Sequence, residues 1–169
     1  MRAAYELKQL SREGLSAALD KAERYRLLNE PVEAESICLD VLAVEPDDQR
    51  ALLMLFLALT DQLDARLGPA YEEARALLPR LDGDYAQHYY AGILAERRGG
   101  AHHQRGGGSS AEIAGDWYRR AMDSYQRAEA VRPPGNDDAL IRWNTCARIL
   151  MRHPEMDDTP DDPAPSYLE

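Results

Sequence analysis

The chain has 169 residues, with 20 Lys+Arg against 30 Asp+Glu and a formal net charge of −10. That length fits one domain or one short repeat array, and 44% hydrophobic with 30% charged residues excludes bulk disorder. The acid excess argues against a general nucleic-acid binder, because phosphate contacts need a net positive face.

Charges at Arg2, Glu6 and Lys8 stand where a secretory signal needs an apolar stretch. Leu15, Leu19, Ala22, Tyr25 and Leu28 recur at three- and four-residue intervals, so the spacing predicts a helix over 16–29. Pro31 ends it, since proline disfavours helix at the residue before it. Ile37, Val41 and Val44, with Ala34 and Cys38 beside them, predict a second helix over 32–44, stopped at Pro46. Asp47-Asp48 then caps an apolar helix over 49–63. Its run Ala51–Leu59 is about half the roughly 20 residues a bilayer span needs, so it reads as a core helix. With no export or membrane signal, a cytoplasmic protein is expected.

Gly68-Pro69 reads as a break, and a helix resumes over 70–81, shortened by Pro79. Asp82-Gly83-Asp84 is a turn, followed by a helix from Tyr85 to about Arg98. Five glycines and two serines over 99–110 predict a flexible loop. Helices over 111–131 and 137–152 follow, separated by Pro133-Pro134-Gly135. From Pro154 to Glu169 there are four prolines, six acids and no Lys or Arg, which predicts a disordered tail. No segment alternates like a strand, and the fold class expected is all-α.

An internal repeat sits on this pattern. Ala34, Cys38, Val41 and Pro46 have the same offsets as Ala121, Tyr125, Ala128 and Pro133. Ala22 with Tyr25, Ala91-Gly92 with Ala95, and Leu140, Trp143 and Ala147 keep the spacing of the preceding helices. Together they resemble the tetratricopeptide repeat family, where a small residue admits a close helix, a bulkier one fills the gap and proline stops the second helix. The resemblance implies a right-handed α-solenoid of antiparallel helix pairs. It places repeats at about 15–47, 49–83 and 85–134, with a cap helix at 137–152, so residues 1–153 form the repeat domain. The second repeat departs from the pattern by about six extra residues and no closing proline. The third carries a long insertion around 99–110.

The resemblance further implies a concave face lined by the first helix of each repeat, here Leu19, Glu23, Leu53, Met54, Leu57, Tyr89, Tyr90, Ile93, Ile141, Arg142 and Thr145. This set is mostly apolar, suited to a peptide or amphipathic helix of another protein. The family subclass that clamps a C-terminal carboxylate does so with Lys, Asn and Arg; the corresponding Leu19, Glu23, Met54, Ala86 and Tyr90 cannot grip a carboxylate.

Charge is uneven along the chain. Leu28–Gln49 holds seven acids and no base, whereas Arg97–Arg132 holds seven arginines against four acids. Asp116–Arg120 and Asp123–Arg127 fit ordinary helical pairs four residues apart. Arg97, Arg98, Arg105, Arg119 and Arg120 are the candidates to receive an acidic segment, which could be a partner, another copy's 30–48 or the chain's own tail. His102 and His103 lack the spacing of a structural zinc site, and neither Cys38 nor Cys146 has a local His. With no catalytic motif, the expectation is no enzyme, cofactor or metal. The reading is an adaptor that binds another protein. The alternatives are an assembly factor dedicated to one pathway enzyme, or a homo-oligomeric scaffold pairing acidic 30–48 with basic 97–132.

Overall fold

The computed structural model describes residues 4–157. Within them the chain is all-helical, and no strand is present. The helices are α1 (Leu15–Leu27), α2 (Pro31–Val44), α3 (Gln49–Thr60), α4 (Leu67–Leu77), α5 (Asp84–Arg105), α6 (Ser110–Ala130) and α7 (Asp138–Arg152). Short 3₁₀ turns at Arg12–Gly14, Leu78–Arg80 and Pro154–Met156 flank them. Each helix packs on the next in the chain, and α1 also reaches α3.

Local chemistry sets most boundaries. Asn29 takes a positive φ of 60° and turns the chain out of α1. Pro31 then opens α2 at a position where its missing N–H costs nothing. The Asp48 carboxylate accepts the Ala51 amide at 2.8 Å, capping α3 as the sequence predicts. Gly68-Pro69 does not break the chain. Both residues lie in the first turn of α4, where proline is tolerated.

The largest departure concerns 99–110. Residues 99–105 continue α5, and the turn is confined to 106–109, where Gly106, Gly107 and Gly108 all have positive φ. Gly99 serves close packing. A Cβ there would lie 3.2 Å from the Ala114 carbonyl and 3.3 Å from Trp117 Cβ, so its absence lets α6 lie against α5. The Ser110 hydroxyl donates to the His102 carbonyl at 2.8 Å and ties the turn to the end of α5.

The core runs through the helix pairs. Ala34, Cys38 and Val41 of α2, and Ala121, Tyr125 and Ala128 of α6, are all fully buried. Ala74 of α4 is buried as well, followed by Leu81 at 4% exposure. Gly92 on α5 meets the Tyr125 ring so closely that a side chain there would overlap it. Residues 154–157, which the sequence places in a disordered tail, are packed: Met156 is fully buried and its carbonyl rests against Gly115 of α6. Residues 158–169 of that tail lie outside the described residues.

Candidate functional site

On α3, Arg50 turns toward α1, where it bridges Asp20 at 2.6 Å and Glu23 at 3.5 Å. Phe56 and Thr60 turn toward α5. The Phe56 ring meets Tyr90 at 5.7 Å, and Thr60 Oγ1 accepts from Arg97 at 2.9 Å. At 100° per residue, Leu53 and Leu57 fall between these two flanks, and both are half-buried. They form the open strip of α3.

Next to α3, across the Phe56–Tyr90 contact, stand the tyrosines of α5. Tyr85 and Tyr89 stack at 5.6 Å, Tyr89 meets Tyr90 edge-on at 5.1 Å, and Tyr89 lies 5.9 Å from Tyr125. Such pairs add about 0.5–1.5 kcal/mol each beyond area burial. Burial and the neighbouring rings push the Tyr90 phenol above its usual value, and burial with Asp138 does the same for Tyr85. Both are neutral donors at physiological pH.

Two ion-pair bridges hold this surface. Arg26 of α1 donates to Asp61 at 2.6 Å, and Arg97 of α5 donates to the other Asp61 oxygen, so one carboxylate ties three successive odd-numbered helices. All three side chains are between 20% and 28% exposed, which shields the pairs from screening. On the other side, Glu96 of α5 accepts from Tyr125 at 2.5 Å and from Arg142 of α7 at 3.2 Å. Burial pulls the Arg142 guanidinium down, yet Glu96 and Tyr89 outweigh it and hold it above its ordinary value. A cleft of about 330 Å³ opens beside the bridges, lined by Thr60, Asp61, Asp64, Glu96, Arg97 and Tyr118.

The structure sorts the residues predicted to face a partner. Leu53, Leu57, Tyr89, Tyr90, Arg142 and Thr145 are half-buried, while Glu23 and Ile141 are exposed. Leu19 at 2%, Met54 at 8% and Ile93 at 3% exposure are core residues and present no surface to a partner. The physical reason is that Leu15, Leu19 and Ala22 form the stripe α1 buries, and α3 is apolar around most of its circumference.

The arginines predicted to receive an acidic segment do not form one patch. Arg97 is consumed by Asp61. Arg119 pairs with Asp116 at 3.1 Å and Asp157 at 3.5 Å, so the expected Asp116–Arg120 pair is replaced by one three residues apart. Neither Asp116–Arg120 nor Asp123–Arg127 stands among the ion pairs of the described residues. Arg105 reaches the Asp64 carbonyl at 3.4 Å. Arg98 and Arg120 remain together, over the Trp117 ring.

His102 and His103 lie in the last turns of α5. Burial, with Arg98 and Arg105, lowers the His102 pKa, and its Nε2 is buried without a partner. The His103 ring meets His153 at 4.8 Å. No group of three or more His, Cys, Asp or Glu able to hold a metal ion is found among the described residues. Cys38 and Cys146 are fully buried, which pushes each thiol up to about 12. Among the described residues no helix is long and apolar enough to cross a membrane.

Sequence reasoning missed Arg26, Asp61 and Glu96. Their pairings span 35, 36 and 46 residues, which no local spacing announces. Comparison with family models, curated proteins and solved structures gave no significant match.

Proposed function

We propose that this protein is a non-catalytic adaptor that binds a peptide or helix of another protein on the face shared by α1, α3, α5 and α7. In this reading α1–α2, α3–α4 and α5–α6 are three tetratricopeptide-like repeats of a right-handed α-solenoid, and α7 is the cap. The observation that carries it is the half-buried Leu53 and Leu57 of α3 together with the tyrosine cluster Tyr85, Tyr89 and Tyr90 of α5, flanked by the Asp61 and Glu96 bridges. Aromatic rings with polar tips give large contact area at small entropic cost, and bridges fixed in advance spare the ordering cost of binding.

Site-specific photo-crosslinking tests the reading. A photoreactive residue at position 57 is expected to capture a protein in source cells, whereas one at Leu39, exposed on α2, is not. Leu53→Arg/Leu57→Arg should abolish that capture with helical circular dichroism unchanged. Capture from both positions alike, or from neither, would sink the groove assignment.

One observation favours self-association as a second reading. The α1–α2 end of the molecule exposes Leu27 at 77%, Leu28 at 64% and Val32 at 60%. Association through that end would persist at high salt, whereas pairing of acidic 30–48 with basic 97–132 would not. Light scattering against salt separates the two.

A further inference from the structure

Between α4, α5 and α6, away from the groove, lies a cleft of about 260 Å³ lined by Tyr71, Arg75, Leu78, Trp117, Arg120 and Ser124. The Arg98 guanidinium carbon sits 4.0 Å from the Tyr71 ring centre and 4.4 Å from that of Trp117. Arg120 sits 4.6 Å from the same Trp117 ring. Stacking of this kind fixes the guanidinium plane while leaving N–H groups able to meet a carboxylate; Arg120 lines the cleft itself, and Arg98 packs on two of its lining rings. Among the described residues neither Arg98 nor Arg120 makes an ion pair or a hydrogen bond, and Arg98 Nε is buried without an acceptor. Nine other arginines of the described residues do find carboxylates. Next to the lining residues in sequence, Glu72 pairs with Arg75 at 3.4 Å and Asp116 with Arg119 at 3.1 Å.

We propose that this arginine–aromatic cleft is the docking site of the chain's own acidic segment, residues 158–169. That segment contains Asp158, Asp161, Asp162 and Glu169 with no Lys or Arg, so its charge complements the two free guanidiniums. The described chain already leads there. Met156 is seated on Gly115, and Arg119 holds both the Met156 carbonyl at 3.2 Å and the Asp157 carboxylate at 3.5 Å. Arg120 is the next residue of α6. From the Arg119 flank to the Trp117 flank the route crosses the outer face of a helix only about 10–12 Å in diameter. Twelve residues at roughly 3.3 Å each reach well beyond that. Asp116 and Asp123 lie on the route and repel an acidic segment, so the attraction must come from Arg98 and Arg120 at its far side. A tether this short sets a millimolar effective concentration, which lets a few charge-assisted bonds suffice.

The test is contact quenching in the full chain. A bimane is attached at Ala164→Cys, which labels selectively because Cys38 and Cys146 are buried with thiols that stay protonated. Docking brings the label against Trp117 and quenches it. The quenching should be lost in Trp117→Phe, in Arg98→Gln/Arg120→Gln, and at about 1 M salt, where the Debye length is roughly 3 Å. Asp158→Asn/Asp161→Asn/Asp162→Asn alters no residue of the described fold and should also abolish it. Trp143→Phe should leave it intact. Emission equal in native chain and Trp117→Phe, or quenching traced to Trp143, would overturn the proposal. Quenching that grows with protein concentration would overturn it too, by assigning the occupant to another copy.

Discussion

Gly92→Ala tests whether the α5–α6 contact is as close as the structure places it. The added Cβ would lie 2.6 Å from Tyr125 Cδ1 and 2.9 Å from Cζ, well inside contact distance. Tyr125 has little room to retreat, being fully buried, bonded through its hydroxyl to Glu96 and packed on Tyr89. Overpacking of this kind costs about 1–3 kcal/mol. Against it stands the gain of about 0.8–1 kcal/mol for alanine over glycine inside a helix. Gly100→Ala on the same helix isolates the clash, because its Cβ would meet only the Tyr118 hydroxyl at 3.5 Å. The propensity gain is common to both, so Gly100→Ala should be neutral or stabilising, and Gly92→Ala should fall below it by about 1–3 kcal/mol. For a chain of this size that is a melting-temperature gap of about 2–4 °C per kcal/mol. Urea unfolding followed by circular dichroism reads the difference directly. Equal midpoints for the two variants would refute the close contact.

Asp61→Asn should destabilise by about 1–3 kcal/mol, since it leaves Arg26 and Arg97 facing one another half-buried. Arg75→Gln, whose pair with Glu72 is exposed, should change stability by less than about 0.5 kcal/mol in the same urea titration. Neither cysteine should react with a thiol reagent in the native chain at neutral pH, and both should react in denaturant; fast native labelling would show that α2 or α7 opens readily. Burial pushes the Tyr118 phenol up to about 12, so the fold favours its neutral form. That contribution to stability is complete below the unfolded value of about 10 and is lost as pH rises through about 12. Ultraviolet titration should therefore show exposed tyrosines ionising first and the buried set only as helicity falls, whereas a single common transition would contradict the burial.

Helix positions were legible because they rest on local signals: the stripe Leu15, Leu19, Ala22, the stop at Pro46, the cap at Asp48. What a residue does between helices was less so. Pro69 carries the same chemistry in the first turn of a helix as in a break, and only the register of α4 decides which. Gly99 reads as flexibility beside Gly106–Gly108, yet Gly99 answers a neighbouring helix and the three others a turn. The face that the repeat resemblance implies includes Leu53, Leu57, Tyr89 and Tyr90, which are half-buried. Leu19, Met54 and Ile93 could not be excluded from it, because a period fixes direction and not how much neighbouring structure covers a side chain. The bridges at Asp61 and Glu96 depend on partners too distant in sequence for any spacing rule.

The tight seam between α5 and α6 bears on how the chain acquires its shape. Its contacts, from His102 with Ser110 through Gly99 with Trp117 to Glu96 with Tyr125, all close within a single helix–turn–helix segment. Short loop closures are the quickest to form. This hairpin is therefore the natural nucleus on which α7 and α4 condense, and the segment in which amide protons should exchange last.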